Sequence, residues 1–226
     1  MSLRPQIFER VSPNWGARRG GQRPDLVVIH YTAMQSAQAA IERLCDPVAE
    51  VSAHYVICER GGVTRLVPEG ERAWHAGAGR WGDVRDVNSR AIGIELANTG
   101  DQPFAEPQMA GLEALLAQIM VRWAIAPERV IGHSDMAPGR KSDPGARFDW
   151  ARLARLGLSV WPQARAGSDF YGAAAAFGYP VGDVEDAHIL EAFRLRFRPW
   201  ATGGMDAVDV ALMSDLAARW PVRGCA

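Results

Sequence analysis

Apolar and polar positions follow two rhythms along this chain, and the switches between them mark its elements. DLVVIHY (25–31) is a short β-branched run and predicts a buried strand. AIGIELAN (91–98) alternates with period two, placing Ile92, Ile94 and Leu96 on one face and Gly93, Glu95 and Ala97 on the other. HYVICER and VTRLVP flank Gly61-Gly62, a hairpin signal. RVIGHS (129–134) reads as a further strand. The helical rhythm appears in QSAQAAIERLC (35–45), stopped by Asp46-Pro47. It is strongest after Pro107, a residue suited to a first helical position. There Met109, Leu112, Leu115, Leu116, Ile119, Met120 and Trp123 form one apolar stripe, with Pro127 as its expected end. FDWARLARLG (148–157) predicts a closing helix, and the polar Arg-, Gly- and Pro-containing residues 1–24 an extended arm.

The composition shifts over 158–168, which reads as a linker. Beyond it the rhythm is helical throughout. Ile189, Leu190, Phe193 and Phe197 form one stripe, and Val208, Leu212, Leu216 and Trp220 another. Gly203-Gly204 supplies a turn before the second stripe, and Asp206 an N-cap. There is no internal repeat and no low-complexity tract.

With 226 residues, 48% hydrophobic and 23% charged, the chain can bury a real core. A net charge of −1 argues against a nucleic-acid or anionic-membrane partner. Three cysteines, Cys45, Cys58 and Cys225, make no disulfide framework and no CxxC thiolate pair. Cys45 and Cys58 are most simply small buried apolar residues. No stretch is long and apolar enough to span a membrane. MSLRPQIFER lacks the apolar run of a secretory leader, so the expectation is a cytoplasmic protein. A leader removed ahead of Met1-Ser2-Leu3 would instead place it in the periplasm or envelope.

Candidate chemistry concentrates in GHSDMAPGRKSDPG (132–145). Pro138 and Pro144 exclude a helix through the segment and its glycines permit tight turns, so a shaped loop is expected. His30 ends one apolar strand and His133 another; Asp143 lies ten residues beyond His133. Two imidazoles and a carboxylate, leaving a fourth position open, are the ligand set of a catalytic zinc. Singly, a strand-end histidine is more often a satisfied structural residue. Glu95 shares its face with Gly93 and Ala97. It is either a solvated or arginine-paired carboxylate, or a general base raised by apolar surroundings. Lys141 is either a solvated loop lysine or, near a metal, an oxyanion stabiliser.

VIHYTA (28–33), SAHYVI (52–57), RAWHAG (72–77), IGIELAN (92–98), IGHSD (131–135) and KSDPG (141–145) occur in that order. Together they resemble the zinc-dependent N-acetylmuramoyl-L-alanine amidases of the AmpD/AmiD type, within the amidase-2 and peptidoglycan-recognition fold. The resemblance spans residues 12–157. It implies an α/β fold, a mixed central sheet flanked by helices with one zinc ion in a groove at a sheet end. The implied ligands are His30, His133 and Asp143, with Glu95 as base and Lys141 as oxyanion stabiliser. The implied substrate is peptidoglycan or its fragments, cut between (1,6-anhydro-)N-acetylmuramic acid and L-alanine. Non-catalytic recognition by the same fold, or a different acyl-peptide substrate, are the other readings.

EAFRLRFRP (191–199) gives the C-terminal part a likeness to the small peptidoglycan-binding-like module of AmiD-type members. The expected division is a catalytic domain over 1–158 and an all-α module over 169–226. That module either binds glycan or only stabilises its neighbour. It favours intact peptidoglycan as substrate, whereas the missing leader favours small anhydro-muropeptides in recycling. Trp74 and His75 are expected to line the groove. His54 has a structural or lining role. Asn98 and Asn88 either orient substrate or satisfy turns. Arg60 reads as a hairpin surface charge, and Asp135 and Asp149 as caps or loop acids. Oligomeric state is not readable.

Overall fold

The computed structural model describes residues 7–222; Met1–Gln6 of the N-terminal segment and Cys225 lie outside the described residues. Eight strands and eight α-helical segments follow one another along these residues. The strands are β1 (Ile7–Glu9), β2 (Trp15–Gly16), β3 (Leu26–Tyr31), β4 (Tyr55–Ile57), β5 (Val63–Arg65), β6 (Arg72–Ala73), β7 (Ala91–Leu96) and β8 (Val130–Gly132). The helices are α1 (Ala37–Cys45), α2 (Val87–Arg90), α3 (Glu106–Trp123), α4 (His133–Met136), α5 (Trp150–Arg155), α6 (Phe170–Phe177), α7 (Asp186–Phe197) and α8 (Ala207–Arg219).

Six strands make one mixed sheet in the order β1-β5-β4-β7-β3-β8, in which only the β4–β5 hairpin is antiparallel. Short β2 and β6 pair separately. β3 and β7 lie inside the sheet, which explains their near-continuous apolar content. Val27, Ile29, Ile92, Ile94 and Leu96 face one layer, packed with Met109, Leu112, Leu115, Leu116 and Ile119 of α3 and with Trp150 and Leu153 of α5. Fully burying each such side chain contributes about 1.5–3 kcal/mol. Leu26, Val28 and Ala91 face the opposite layer. There they share a single hydrophobic cluster with Phe170, Phe177, Phe193, Phe197, Met213 and Leu216 of the three C-terminal helices.

Several local expectations need correction. α3 stops at Trp123, before Pro127, because Ala124 turns left-handed (φ 54°) and donates its N–H to Met120 O. The arm over 1–24 is not merely extended: β1 is an edge strand beside β5, and Ser12 and Asn14 are buried. Arg18 is buried too, donating to the carbonyls of Glu69, Ser89 and Ala91. On α8 the buried face carries Asp209, Met213 and Leu216, while Val208 is exposed. Asp206 caps this helix as expected, accepting from Val208 N and Asp209 N. Residues 158–168 form no helix or strand, yet Leu158, Ser159 and Val160 are buried, with Val160 in the shared cluster. No helix among the described residues is long and apolar enough to cross a membrane.

Candidate metal centre

The parallel strands β7, β3 and β8 end together, and a cavity of about 420 Å³ opens beyond their carboxyl ends. This is where open α/β sheets commonly hold ligands. His30 continues the Leu26–Val28 face of β3 to the cavity floor. His133 is not the last residue of a strand. It opens the helical turn α4, because the prolines at 138 and 144 act only downstream of it. Ser134 N donates to Asp143 O at 2.9 Å, so the same turn holds the chain that carries Asp143.

Three donor atoms converge. His30 Nδ1 lies 3.0 Å from His133 Nδ1 and 2.9 Å from Asp143 Oδ2, and His133 Nδ1 lies 3.1 Å from that same oxygen. Hydrogen bonding assigns the tautomers. His133 Nε2–H donates to Ala76 O at 2.8 Å, which leaves its Nδ1 a bare lone pair. His30 Nε2 meets His75 Nδ1 at 3.0 Å; with His30 as donor, its Nδ1 is bare as well. Two imidazole lone pairs and a carboxylate oxygen facing one another repel unless a cation lies between them. The second ring nitrogens engaged by a carbonyl and an imidazole are the support that metal-ligating histidines typically have. A divalent ion bonded at about 2.0–2.2 Å reaches all three donors, so the donor set fits a metal.

The electrostatics agree. Burial, then the neighbouring His133 ring, pushes His30 down to about 4, keeping it neutral. Burial would raise Asp143, but the His133 and His30 rings packed against it outweigh that and hold the carboxyl well below its usual range. Burial and the nearby Asp143 charge push Glu95 well above the ordinary carboxylate value, with Lys141 acting weakly against them. Glu95 Oε2 is buried without a hydrogen-bond partner among the described residues. The carboxyl stands in the wall of the cavity beside the donor triangle, and Lys141 lines the same cavity.

The remaining expected site residues separate into two groups. Trp74 and His75 both line the cavity, and His75 also bears on His30. Burial and His30 hold the His75 ring well below its usual pKa. Asn88 Oδ1 accepts from His75 N and Ala76 N, fixing that segment. Asn98 is outside the cavity lining; its side chain bonds Gln102 O, Pro103 O and Gly100 N within its own loop. His54 is fully buried, accepting from Gly93 N and meeting Glu71 O. Asp149 caps α5. Asp135 does more than cap: it is completely buried and joined to Arg196 and Tyr179. Nothing in the sequence pattern singles out Arg196, because its stripe reads as a helix with an exposed arginine.

Comparison with known proteins gives this geometry a family. The N-acetylmuramoyl-L-alanine amidase profile Amidase_2 matches residues 20–146. The chain is 34% identical to N-acetylmuramoyl-L-alanine amidase AmiD of Escherichia coli, covering 95% of this chain and 91% of that one. It is 36% identical to 1,6-anhydro-N-acetylmuramyl-L-alanine amidase AmpD of Haemophilus influenzae, over 62% of this chain and 86% of the relative. Among solved structures, E. coli AmiD with anhydro-N-acetylmuramic acid-L-Ala-D-gamma-Glu-L-Lys superimposes with a TM-score of 0.81 at 32% identity, covering 90% of this chain and 92% of that one. AmpDh3 of Pseudomonas aeruginosa in complex with anhydromuramic pentapeptide gives 0.79 at 29% identity, covering 94% and 96%. On the profile match and the near full-length identity together, the chain belongs to the Amidase_2 family of N-acetylmuramoyl-L-alanine amidases.

Proposed function

We propose that this protein hydrolyses the amide bond between N-acetylmuramic acid, in its 1,6-anhydro form or within peptidoglycan, and the L-alanine of the stem peptide. The observation that carries the reading is the convergence of His30 Nδ1, His133 Nδ1 and Asp143 Oδ2 beside the unpartnered carboxyl of Glu95. His30, His133 and Asp143 would hold one zinc ion, which when bound would supply Lewis acidity to the amide carbonyl and to the attacking water.

Glu95 takes the proton of the attacking water and delivers it to the leaving amine nitrogen. A carboxyl raised by burial is suited to both halves of that transfer. The Lys141 ammonium, on the loop bordering the cavity, balances the negative charge that develops on the carbonyl oxygen. Trp74 offers an aromatic face to the sugar–peptide junction. The His30 and His75 rings, held low by burial, stay neutral and take no proton.

The test is incubation with a disaccharide anhydro-muropeptide and, separately, with intact sacculi, with and without a zinc chelator, reading products by mass spectrometry. Free stem peptide that disappears on chelation is the expected result. Release from the anhydro substrate alone assigns the enzyme to recycling of small fragments; release from sacculi as well assigns it to wall turnover. No release from either substrate refutes the reading.

A further inference from the structure

The turn that carries His133 is held from below by the C-terminal helices. Asp135, two residues after His133, has no exposure, and its carboxylate is fully engaged. Oδ2 accepts from Gly132 N at 2.7 Å and from Arg196 at 2.7 Å; Oδ1 accepts from the Tyr179 hydroxyl at 2.8 Å. Gly132 and Asp135 bracket the turn, so these bonds fix its start. Tyr179 follows α6 and Arg196 lies on α7, both beyond the segment that matches the family profile.

Arg196 reaches further. It donates to Val130 O at 3.0 Å and Ser159 Oγ at 3.2 Å, and its guanidinium stacks 4.3 Å from the Trp150 ring. One buried cation therefore ties the first residue of β8, the base of α4 and the segment after α5. A buried ion pair is a poor general stabiliser but a geometric constraint where its partners are fixed: both terminal nitrogens of Arg196 are bonded, while its Nε is buried without a partner among the described residues. The constraint bears on the metal centre through two short paths. His133 is in the turn itself, and Ser134 N holds Asp143 O.

We propose that the C-terminal helices serve as a positioning element of the metal centre, with Arg196 and Tyr179 acting through Asp135 to set the His133 and Asp143 donors. The proposal rests on the metal reading above and gives the C-terminal helices a task that requires no glycan contact.

The experiment measures zinc affinity of the full chain by chelator competition, together with the electronic spectrum of the cobalt-substituted protein. Tyr179→Phe conserves volume and removes one bond to Asp135; Arg196→Met leaves the carboxylate without its cation. Expected are losses of zinc affinity of about 10-fold and up to about 100-fold, the range for residues supporting metal ligands. Both come with an altered cobalt spectrum, at temperatures where the metal-free variants remain folded. Trp200→Ala, on the same helical part but 71% exposed, leaves both readouts unchanged. Unchanged affinity and spectrum in Tyr179→Phe and Arg196→Met overturn the proposal; if Arg196→Met does not fold, Tyr179→Phe decides alone. A wild-type protein that binds no zinc overturns the metal reading and this proposal together, which separates the two failures.

Discussion

His30 and Glu95 are register partners on adjacent parallel strands, so their side chains leave the same face of the sheet side by side. A candidate metal donor and a carboxyl whose Oε2 has no partner among the described residues are thus positioned by backbone hydrogen bonding rather than by a loop. Glu95→Gln preserves the shape of that arrangement. It is expected to retain zinc and to lose turnover by roughly 10²–10⁴. It also melts at a higher temperature when metal-free. The folded pKa of Glu95 lies above its ordinary 4.5, so the stability this group contributes at low pH is lost as pH rises, a loss the amide does not incur. Metal content, turnover and thermal midpoint check the three parts, and a fully active variant refutes Glu95 as base.

Removal of a donor acts differently. His30→Ala leaves two ligands of the three and is expected to lose stoichiometric zinc, measured by elemental analysis after dialysis. Chelation of the wild type reproduces the loss of activity, and zinc restores only the wild type.

Lys141→Met removes a positive charge from the cavity rim without disturbing the donor triangle. Turnover is expected to fall about 10²–10³ while zinc affinity and KM change little, the signature of an interaction made in the transition state. A rise in KM alone would instead make Lys141 a substrate-binding residue.

Gly93 is required by its neighbour. A Cβ there would lie 2.5 Å from the His75 ring, which cannot withdraw while it holds His30 Nε2. Gly93→Ala is expected to weaken zinc binding about 10-fold through His75. His75→Asn, which keeps an acceptor near the Nδ1 position, is expected to bind zinc better than His75→Leu. Chelator competition on the three variants tests this order.

Stability of the metal-free protein depends on pH with a definite sign. Burial pushes His30 down to about 4 and His54 to about 3, and holds His75 well below its ordinary value. Below the ordinary 6.5 the unfolded chain binds protons that these rings refuse in the fold. Stability therefore falls as pH drops through 6.5 towards 4 and 3, by up to ~1.4 kcal/mol per pH unit for each ring. Glu95 acts in the opposite direction, while Asp143, held low, adds to the decline at the acid end. Urea midpoints measured with chelator from neutrality down to about pH 4 should decline, and a flat profile would show the rings are not held neutral.

The sequence made the sheet and the donor set legible for a physical reason. β3 and β7 combine apolar faces with a polar residue that has no business in a core, and α3 repeats its stripe over eighteen residues. Six ordered motifs then supplied the family. What stayed hidden depends on contacts between distant segments. Arg18 and Arg196 read as solvated charges, because nothing local shows that carbonyls or a buried carboxylate await them. The left-handed stop at Ala124 has no glycine to announce it. Asn98 shares a strand's end with Glu95, yet its side chain is spent on its own loop.

The donor triangle joins residues 103 and 113 positions apart, and its support from Arg196 lies another 61 beyond Asp135. His133 and Asp143 are local to one loop, but joining them to His30 needs a long-range contact, and such contacts form late and slowly. A chain emerging from the ribosome therefore cannot close the donor triangle before Asp143 has been made. Metal capture by these donors would, in turn, report the pairing of β3 with β8 rather than the formation of any one segment.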